Sequence, residues 1–482
     1  MADSGPDRRP RAVVVGGGLA GMTAAMGLAD AGLDVTLLEG RPRLGGLAFS
    51  FRRGDLTVDN GQHVYLRCCA AYRWFLDEVG GSGLAPLQDR LDVPVLDAAR
   101  PARRGAGPRT GRLGRTDLPV PLHLAAGLAR YPHLSLAERA SVGRAALALK
   151  RLDPADPALD GVDFAGWLHR HGQSPRAVEA LWDLVGVATL NAYAPDASLG
   201  LAAMVFRTGL LTERGAADIG WAHVPLGELH DTLARRRLER VGVRILRRTR
   251  ATGLHRAADG GWQVGVAAGP ERAGRAGATT LDADAVVLAV PQREAHGLLP
   301  AGALDHKDRL LRIGTAPILN LHVVYDRRVL SAPFAAAVGT PVQWIFDRTD
   351  VSGLAGTAHG RGCQYVAVSQ SAAQDDIERP VGELRERYLP ELAKLLPAAR
   401  GAGVRDFFVT RERTATFAPS PGVGRLRPGP RTHAPGLALA GAWTATGWPA
   451  TMESAVLSGL AAIRETLGGL GREVPRNLLE AV

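Results

Sequence analysis

Cysteine is nearly absent from these 482 residues, with Cys68, Cys69 and Cys363 the only three. Two are adjacent, and none has the Cys/His spacing of a zinc site, which excludes a disulfide framework and leaves no metal expected. The adjacent pair reads as small buried apolar residues. Lysine is as scarce: Lys150, Lys307 and Lys394 are the whole set, and arginine supplies the rest of the 58 basic residues. The formal charge of +10 is therefore an arginine bias of composition. With no recognition motif beside it, a nucleic-acid partner is not expected; contact with an anionic membrane stays open. Long apolar runs are missing as well. The one long uncharged stretch, Ala12 to Ala29, opens like a strand and is dense in glycine, which argues for a loop and against a membrane span. Met1 to Arg11 is polar and arginine-rich without the apolar segment of a leader, and reads as a frayed tail. The expected location is cytoplasmic, at most peripheral at the inner face of the membrane.

What the chain does have is glycine at telling intervals. Ala12 to Val15 has the β-branched pattern of a buried parallel strand. Gly16 permits a tight turn, Gly18 lets backbone approach a pyrophosphate, and Gly21 lets the next helix pack on the strand. Leu19 and Ala20 open that helix, which runs on through Met22 to Ala31 with its N–H groups toward the phosphates. Leu33 to Leu38 is a second strand, and Glu39 at its end suits a ribose hydroxyl. Gly40 and Arg41 follow, and Gly45 and Gly46 would let backbone lie along a dinucleotide. Near the other end stand Gly441, Ala442, Trp443, Trp448, Thr451 and Met452, leading into an apolar helix-like stretch. A nicotinamide dehydrogenase needs only the first half of this signature. A dinucleotide that runs from the first strand to a C-terminal helix, as FAD does, needs both, so FAD is the expected cofactor.

The recurrence of these signals divides the chain, which is long enough for two cores. Val243 to Leu246, Ala251 and Leu254, and the strand-like run Asp284 to Pro291, belong with the nucleotide sheet. The fold class is α/β, with a Rossmann-like FAD-binding domain made discontinuously from 1–95, 215–298 and 420–482. Residues 96–214 and 299–419 form an interleaved substrate domain of mixed sheet plus helices. Within it, Ala98 to Thr116 is Pro/Arg/Gly-rich and reads as a flexible surface insertion. Ala316 to Tyr325 and Gln364 to Ser369 read as strands. Leu118 to Leu128 is the candidate for a membrane-dipping entrance.

Several segments carry a resemblance. Gly45-Gly46 with the glycine loop resembles the flavoprotein superfamily of amine oxidases, phytoene desaturases and protoporphyrinogen oxidases. Asp59-Asn-Gly-Gln-His-Val64, Cys68-Cys69, Tyr72 to Leu76, Asp183 to Asn191, Val342 to Asp347, Ala415 to Ser420 and Thr446 to Ala455 resemble the hydroxysqualene dehydroxylases within it. Two departures stand out. Leu47 occupies the place of an arginine that contacts the flavin, with Arg41 or Arg43 as the replacement cation. Ala442 occupies the place of an aspartate near the ribityl chain, which implies weaker flavin binding and not different chemistry.

The resemblance implies reductive removal of an allylic hydroxyl from hydroxysqualene, giving squalene for hopanoid synthesis. The substrate is a long apolar isoprenoid held in a dry cavity, and hydride comes from reduced flavin. His63 is the candidate acid, in a loop that in related flavoproteins lies near the flavin; Gln62 and His63 are also expected cofactor contacts. Asp59 reads as bonding its own turn. Trp344, Phe346, Trp443 and Trp448 are expected around the substrate. No cysteine or histidine stands in the C-terminal motif to attach the flavin covalently. The electron donor is unspecified, and an upstream squalene-synthase-like enzyme is a sensible partner. A polyene desaturase is the alternative; a prenyl-binding escort protein gives the intact glycine loop no role.

Overall fold

The computed structural model describes residues 8–101, 107–267 and 279–479. Arg11–Val15 takes the centre of a sheet because all but its first side chain are buried. It lies parallel to Asp34–Leu38 on one side and Ala285–Leu288 on the other. Leu437–Leu439 and Arg244–Leu246 complete the two edges, giving five parallel strands drawn from both ends and the middle of the chain. The helix Leu19–Asp30 follows the first strand and is buried along most of its length. The C-terminal helix Met452–Gly469 packs directly on it: a Cβ at Gly459 would lie 2.5 Å from Ala20 O. Beside this sheet stand three antiparallel strands, Arg250–Arg256, Trp262–Ala267 and Thr279–Ala283.

A seven-stranded sheet carries the second layer, in the order Val404–Phe417, Thr315–Tyr325, Gln364–Ser371, Trp344–Asp347, Phe334–Val338, Asp92–Pro101, Pro108–Gly114. It is mixed, since Phe334–Val338 runs parallel to Asp92–Pro101 while the other pairs are antiparallel. This corrects the reading of Ala98 to Thr116 as a flexible insertion. Apart from 102–106, which lie outside the described residues, much of that stretch is a strand pair extending the sheet. Proline misled because it is tolerated on an edge strand and at a strand's first residue, which is where Pro108 stands. The frayed tail expected for Met1 to Arg11 is described only from Arg8 onward, and Arg11 opens the first strand.

Helices form the third element. Leu136–Lys150 starts with a full capping box, Ser135 Oγ accepting from Glu138 N and Glu138 Oε2 from Ser135 N. Phe164–Arg170, Asp183–Leu190 and Leu199–Phe206 pack around Phe164, Trp182 and Phe206, whose rings meet at 5.0 to 5.9 Å. No helix among the described residues is long and apolar enough to cross a membrane.

Two histidines sit fully buried between the layers. His230 Nδ1 faces Ala48 O at 2.9 Å and must donate there, so its Nε2 accepts from Tyr72. Thr410 gives its hydroxyl proton to Asn60 O, so His322 Nε2 donates to Thr410 and Nδ1 accepts from Tyr365. Both bonding patterns require neutral imidazole. Burial pulls His230 down from 6.5 to about 4 and His322 from 6.5 to about 3. The unfolded chain then binds more protons below pH 6.5, so stability falls as pH drops through that window. Glu453 and Asp183, both pushed up to about 6 by burial, act in the opposite sense but over a narrower range. We expect a net loss on the order of 2 kcal/mol between pH 7 and pH 5, seen as a lower melting temperature by calorimetry. A flat profile would contradict the neutral pair.

Candidate cofactor and substrate site

The loop after the first strand is shaped by backbone approach. Gly16 has φ +111°, and a Cβ at Gly21 would fall inside the van der Waals shell of Gly16 O. Gly18 differs, because a Cβ there meets nothing nearer than Gly46 Cα at 3.7 Å. Its open side is therefore where a dinucleotide has room. No side chain caps the helix that starts at Leu19 and Ala20, so its first N–H groups are left for phosphate. The second glycine pair closes onto the first: Gly45 N donates to Gly17 O at 2.9 Å, and a Cβ on Gly46 would come within 2.9 Å of Gly18 Cα. Glu39 accepts from Gly17 N at 2.8 Å and from Arg41 N at 2.7 Å. It thus fixes the loop while each oxygen keeps a lone pair for a ribose. Gly40 faces Arg250, and Ala251 is buried beside it.

Of the two replacement cations proposed for the Leu47 position, Arg43 is built into the loop. Leu47 itself is exposed. Arg43 Nη1 donates to Leu44 O and Gly46 O at 3.1 Å, and its guanidinium lies 3.3 Å from the Phe49 ring centre. The C-terminal loop is wired around another arginine. Buried Arg427 donates to the carbonyls of Ala442, Trp443, Thr444 and Trp448, and Ser454 Oγ donates to Ala442 O at 3.1 Å. Gly441 N is held by Ser458 Oγ at 2.8 Å. Thr451 caps the last long helix through Ser454 N, Met452 is its first residue, and Glu453 reaches across to cap Ala70–Glu78 at Ala71 N and Tyr72 N. Where an aspartate is missing at Ala442, an arginine and a serine hold the backbone.

The Asp59–Val64 segment joins the two layers. Asp59 does not bond a local turn. It is buried against Arg348 at 2.5 Å, accepts from Ser50 Oγ at 2.5 Å, and accepts from Leu226 N at 3.0 Å. A local turn would have left this carboxylate wet; Arg348, just past the strand Trp344–Asp347 and far away in sequence, instead makes its burial tolerable. Asn60 is a hub, donating to Leu47 O and Glu412 and accepting on its carbonyl from Asn320 and Thr410. Gln62 and His63 are half-buried beyond it. The His63 ring folds over Gly61, and burial, with His230 and Arg348 nearby, pulls it down to about 4. His63 therefore stands neutral near pH 7, which weakens the acid role expected for it.

Asn320 was not anticipated as a site residue. It is 0% exposed, its Nδ2 donates to Asn60 O at 3.1 Å, and its Oδ1 has no partner. Leaving such an acceptor bare costs about 1–3 kcal/mol. A ring carrying N–H donors laid against the Asn60–His63 loop would relieve it, which a flavin supplies. The open side of Gly18, the uncapped helix and this orphaned oxygen together fit a flavin dinucleotide. The sequence signal was present: Asn320 and His322 are polar residues on alternate positions of an apolar strand.

The apolar wall lies on the mixed sheet. Trp344 and Phe346 stack at 6.2 Å, Phe334 lies 6.0 Å from Phe346, and Trp221 meets Phe334 edge-on at 5.3 Å. Trp443 and Trp448 pack into the same apolar cluster. Trp443 is committed structurally, its indole N–H donating to Val290 O at 2.9 Å. Asp183, also missed as a site residue, begins a helix packed against Phe334–Val338. Its Oδ1 accepts from Ala194 N at 3.0 Å, and burial pushes it up to about 6.

Fold and site together define a flavin-dependent oxidoreductase. Residues 19–466 match the flavin containing amine oxidoreductase family, and the chain belongs to it. It is 29% identical over 460 residues to the hydroxysqualene dehydroxylase of Rhodopseudomonas palustris, covering 92% of this chain and 96% of that one. It is 25% identical over 471 residues to the 15-cis-phytoene desaturase of Narcissus pseudonarcissus, covering 94% and 79%. The fold is similar to that of cyclohexylamine oxidase from Brevibacterium oxydans, with a TM-score of 0.68, 16% identity, and coverage of 96% and 100%.

Two substitutions separate cofactor contacts from scaffold. Glu39→Ala should weaken flavin binding at least tenfold in a fluorescence titration of apoprotein, on the order of 1.4 kcal/mol. Asn320→Leu should leave the apoprotein's stability unchanged or slightly higher, since an orphaned acceptor is removed, while flavin affinity falls. Lower apoprotein stability with unchanged affinity would make Asn320 a scaffold residue.

Proposed function

We propose that the chain is an FAD-dependent hydroxysqualene dehydroxylase, removing an allylic hydroxyl to give squalene, as in squalene and hopanoid synthesis. The observation that carries this reading is likeness to hydroxysqualene dehydroxylases along nearly the whole of both chains, joined to an apolar aromatic wall beside the Asp59–His63 loop. The overall change is balanced: alcohol, one proton and one hydride give hydrocarbon and water. Bound flavin supplies the hydride in its reduced form. The protein's own part is to hold the chain, deliver the proton and keep water from the cation.

Trp344, Phe346 and Phe334 provide apolar surface, and aromatic faces stabilise a passing allylic cation. Arg427 and Ser454 keep the C-terminal loop in one arrangement. For the proton, His63 is a poor donor because it is neutral near pH 7. Asp183 is the better acid, because its carboxyl is protonated in part near pH 6. Polyene desaturation is the competing reading, supported by the similarity to phytoene desaturases.

Adding hydroxysqualene to photoreduced enzyme without oxygen tests the direction of electron flow. Return of the oxidised flavin bands with squalene formed is the expected result; bands that stay bleached would favour desaturation. For the acid, Asp183→Asn should lower turnover about 100-fold or more with flavin retained, and the parent rate should decline above pH 6. If His63→Ala alone abolishes turnover and Asp183→Asn does not, the proton belongs to His63.

A further inference from the structure

Away from the cofactor loops, Arg309, Arg312 and Arg425 converge from two short segments, Arg309–Arg312 and Gly424–Leu426, that pack against each other. They line two adjoining cavities of about 230 and about 200 Å³, with Arg312, Arg425 and Leu426 common to both. None of the three forms an ion pair with a carboxylate among the described residues. The acids beside the groove bond other groups than these three guanidinium groups. Asp308 pairs with His296 at 2.8 Å, Asp305 with His433 at 2.9 Å, and Asp160 accepts from Gly424 N and Arg425 N. Three arginines around one shared hollow, none of them in an ion pair among the described residues, gather positive charge there.

The shape of the hollow supports an anionic occupant. Arg425 lies over Gly422, where a Cβ would come 2.9 Å from its Nη2, so the small residue lets the guanidinium lie flat on the wall. Between Arg309 and Arg312, Leu311 points outward, 43% exposed. An apolar side chain flanked by cations is the local pattern of a surface that meets phospholipid, with the cations at the headgroups and the leucine at the acyl boundary. The wall Ala418 to Leu426 also continues on either side into Phe417 and Arg427, which stack at 4.5 Å beneath the C-terminal loop.

We propose that the Arg309–Arg312–Arg425 groove is a phosphate-anion site that seats the headgroups of anionic phospholipid and docks the protein on a membrane, with Leu311 entering the bilayer. The site differs from the entrance expected at Leu118 to Leu128, where Leu118 and Leu122 are also exposed. It does not depend on which isoprenoid is the substrate. The test is flotation of flavin-loaded protein with phosphatidylcholine vesicles, with and without phosphatidylglycerol. Binding should require phosphatidylglycerol and weaken with salt. R312Q/R425Q should reduce it about 25-fold, roughly fivefold per arginine, with flavin content unchanged, and Leu311→Ser should reduce it further. Equal binding by R312Q/R425Q overturns the proposal, as does loss of binding only in Leu118→Ser/Leu122→Ser. A calorimetric titration with inorganic pyrophosphate distinguishes the other source of the same chemistry. Tight pyrophosphate binding without vesicle binding would make the groove a soluble-phosphate site and overturn docking.

Discussion

The arrangement depends on how closely backbone approaches both faces of the helix Leu19–Asp30. On one side Gly21 rests against Gly16 O; on the other, Gly459 of the C-terminal helix rests against Ala20 O and Thr23. Any side chain at either glycine would push the helix off the strand or off its neighbour. The Gly459 contact joins residues more than four hundred positions apart and fixes where the loop from Gly441 to Thr451 falls relative to the glycine loop. Once both ends are set, one dinucleotide can touch both. Arg427 then makes the C-terminal loop rigid from within, through four carbonyls and the Thr446 hydroxyl, which is why the loop can lack an aspartate at Ala442 and keep its course.

A second constraint couples this framework to the mixed sheet. The buried pair Asp59–Arg348 contributes little net stability in itself, since desolvation offsets most of the attraction. What it contributes is registry. Losing either partner would strand a charge, so the Asp59–His63 segment has one allowed position against the sheet. The surrounding network, Tyr365 to His322 to Thr410 to Asn60 O, has the same character: each proton has one consistent place. Polar groups concentrated between two apolar cores are costly unless satisfied. Within this network Asn320 Oδ1 is left without a partner among the described residues, and it lies where the loop and the sheet meet.

The nucleotide half was legible in sequence because its signals are local. Strand, glycine turn, helix, strand and Glu39 follow one another within thirty residues, and each has a backbone reason. The strands at Ala285–Leu288 and Thr315–Tyr325 were legible by β-branched composition. What failed was long-range. Asp59 looked like a turn residue because its partner, Arg348, is remote in the chain and arginine is too common here to single out. The edge strands around Pro108 looked like a loop because proline and arginine, residues that protect a sheet edge, have the composition of a linker. Asn320 and Asp183 were inside segments already singled out, but burial, which gives each its character, does not show in a residue's letter.

The same burial bears on the chemistry. An interior dry enough to protect an allylic cation disfavours ionised groups, so burial lowers histidines and raises carboxyls, as at His63 and at Asp183. In such a place a histidine near neutral pH is a base without a proton, whereas a carboxyl raised to about 6 still holds its proton in part. Reductive loss of hydroxide needs that proton at the leaving oxygen, because hydroxide itself is a poor leaving group and water a good one. Desaturation needs no proton donor, only an acceptor for the hydride and, in turn, for the proton left behind. The proposed dehydroxylation therefore asks for a buried carboxyl such as Asp183, which begins a helix packed on Phe334–Val338.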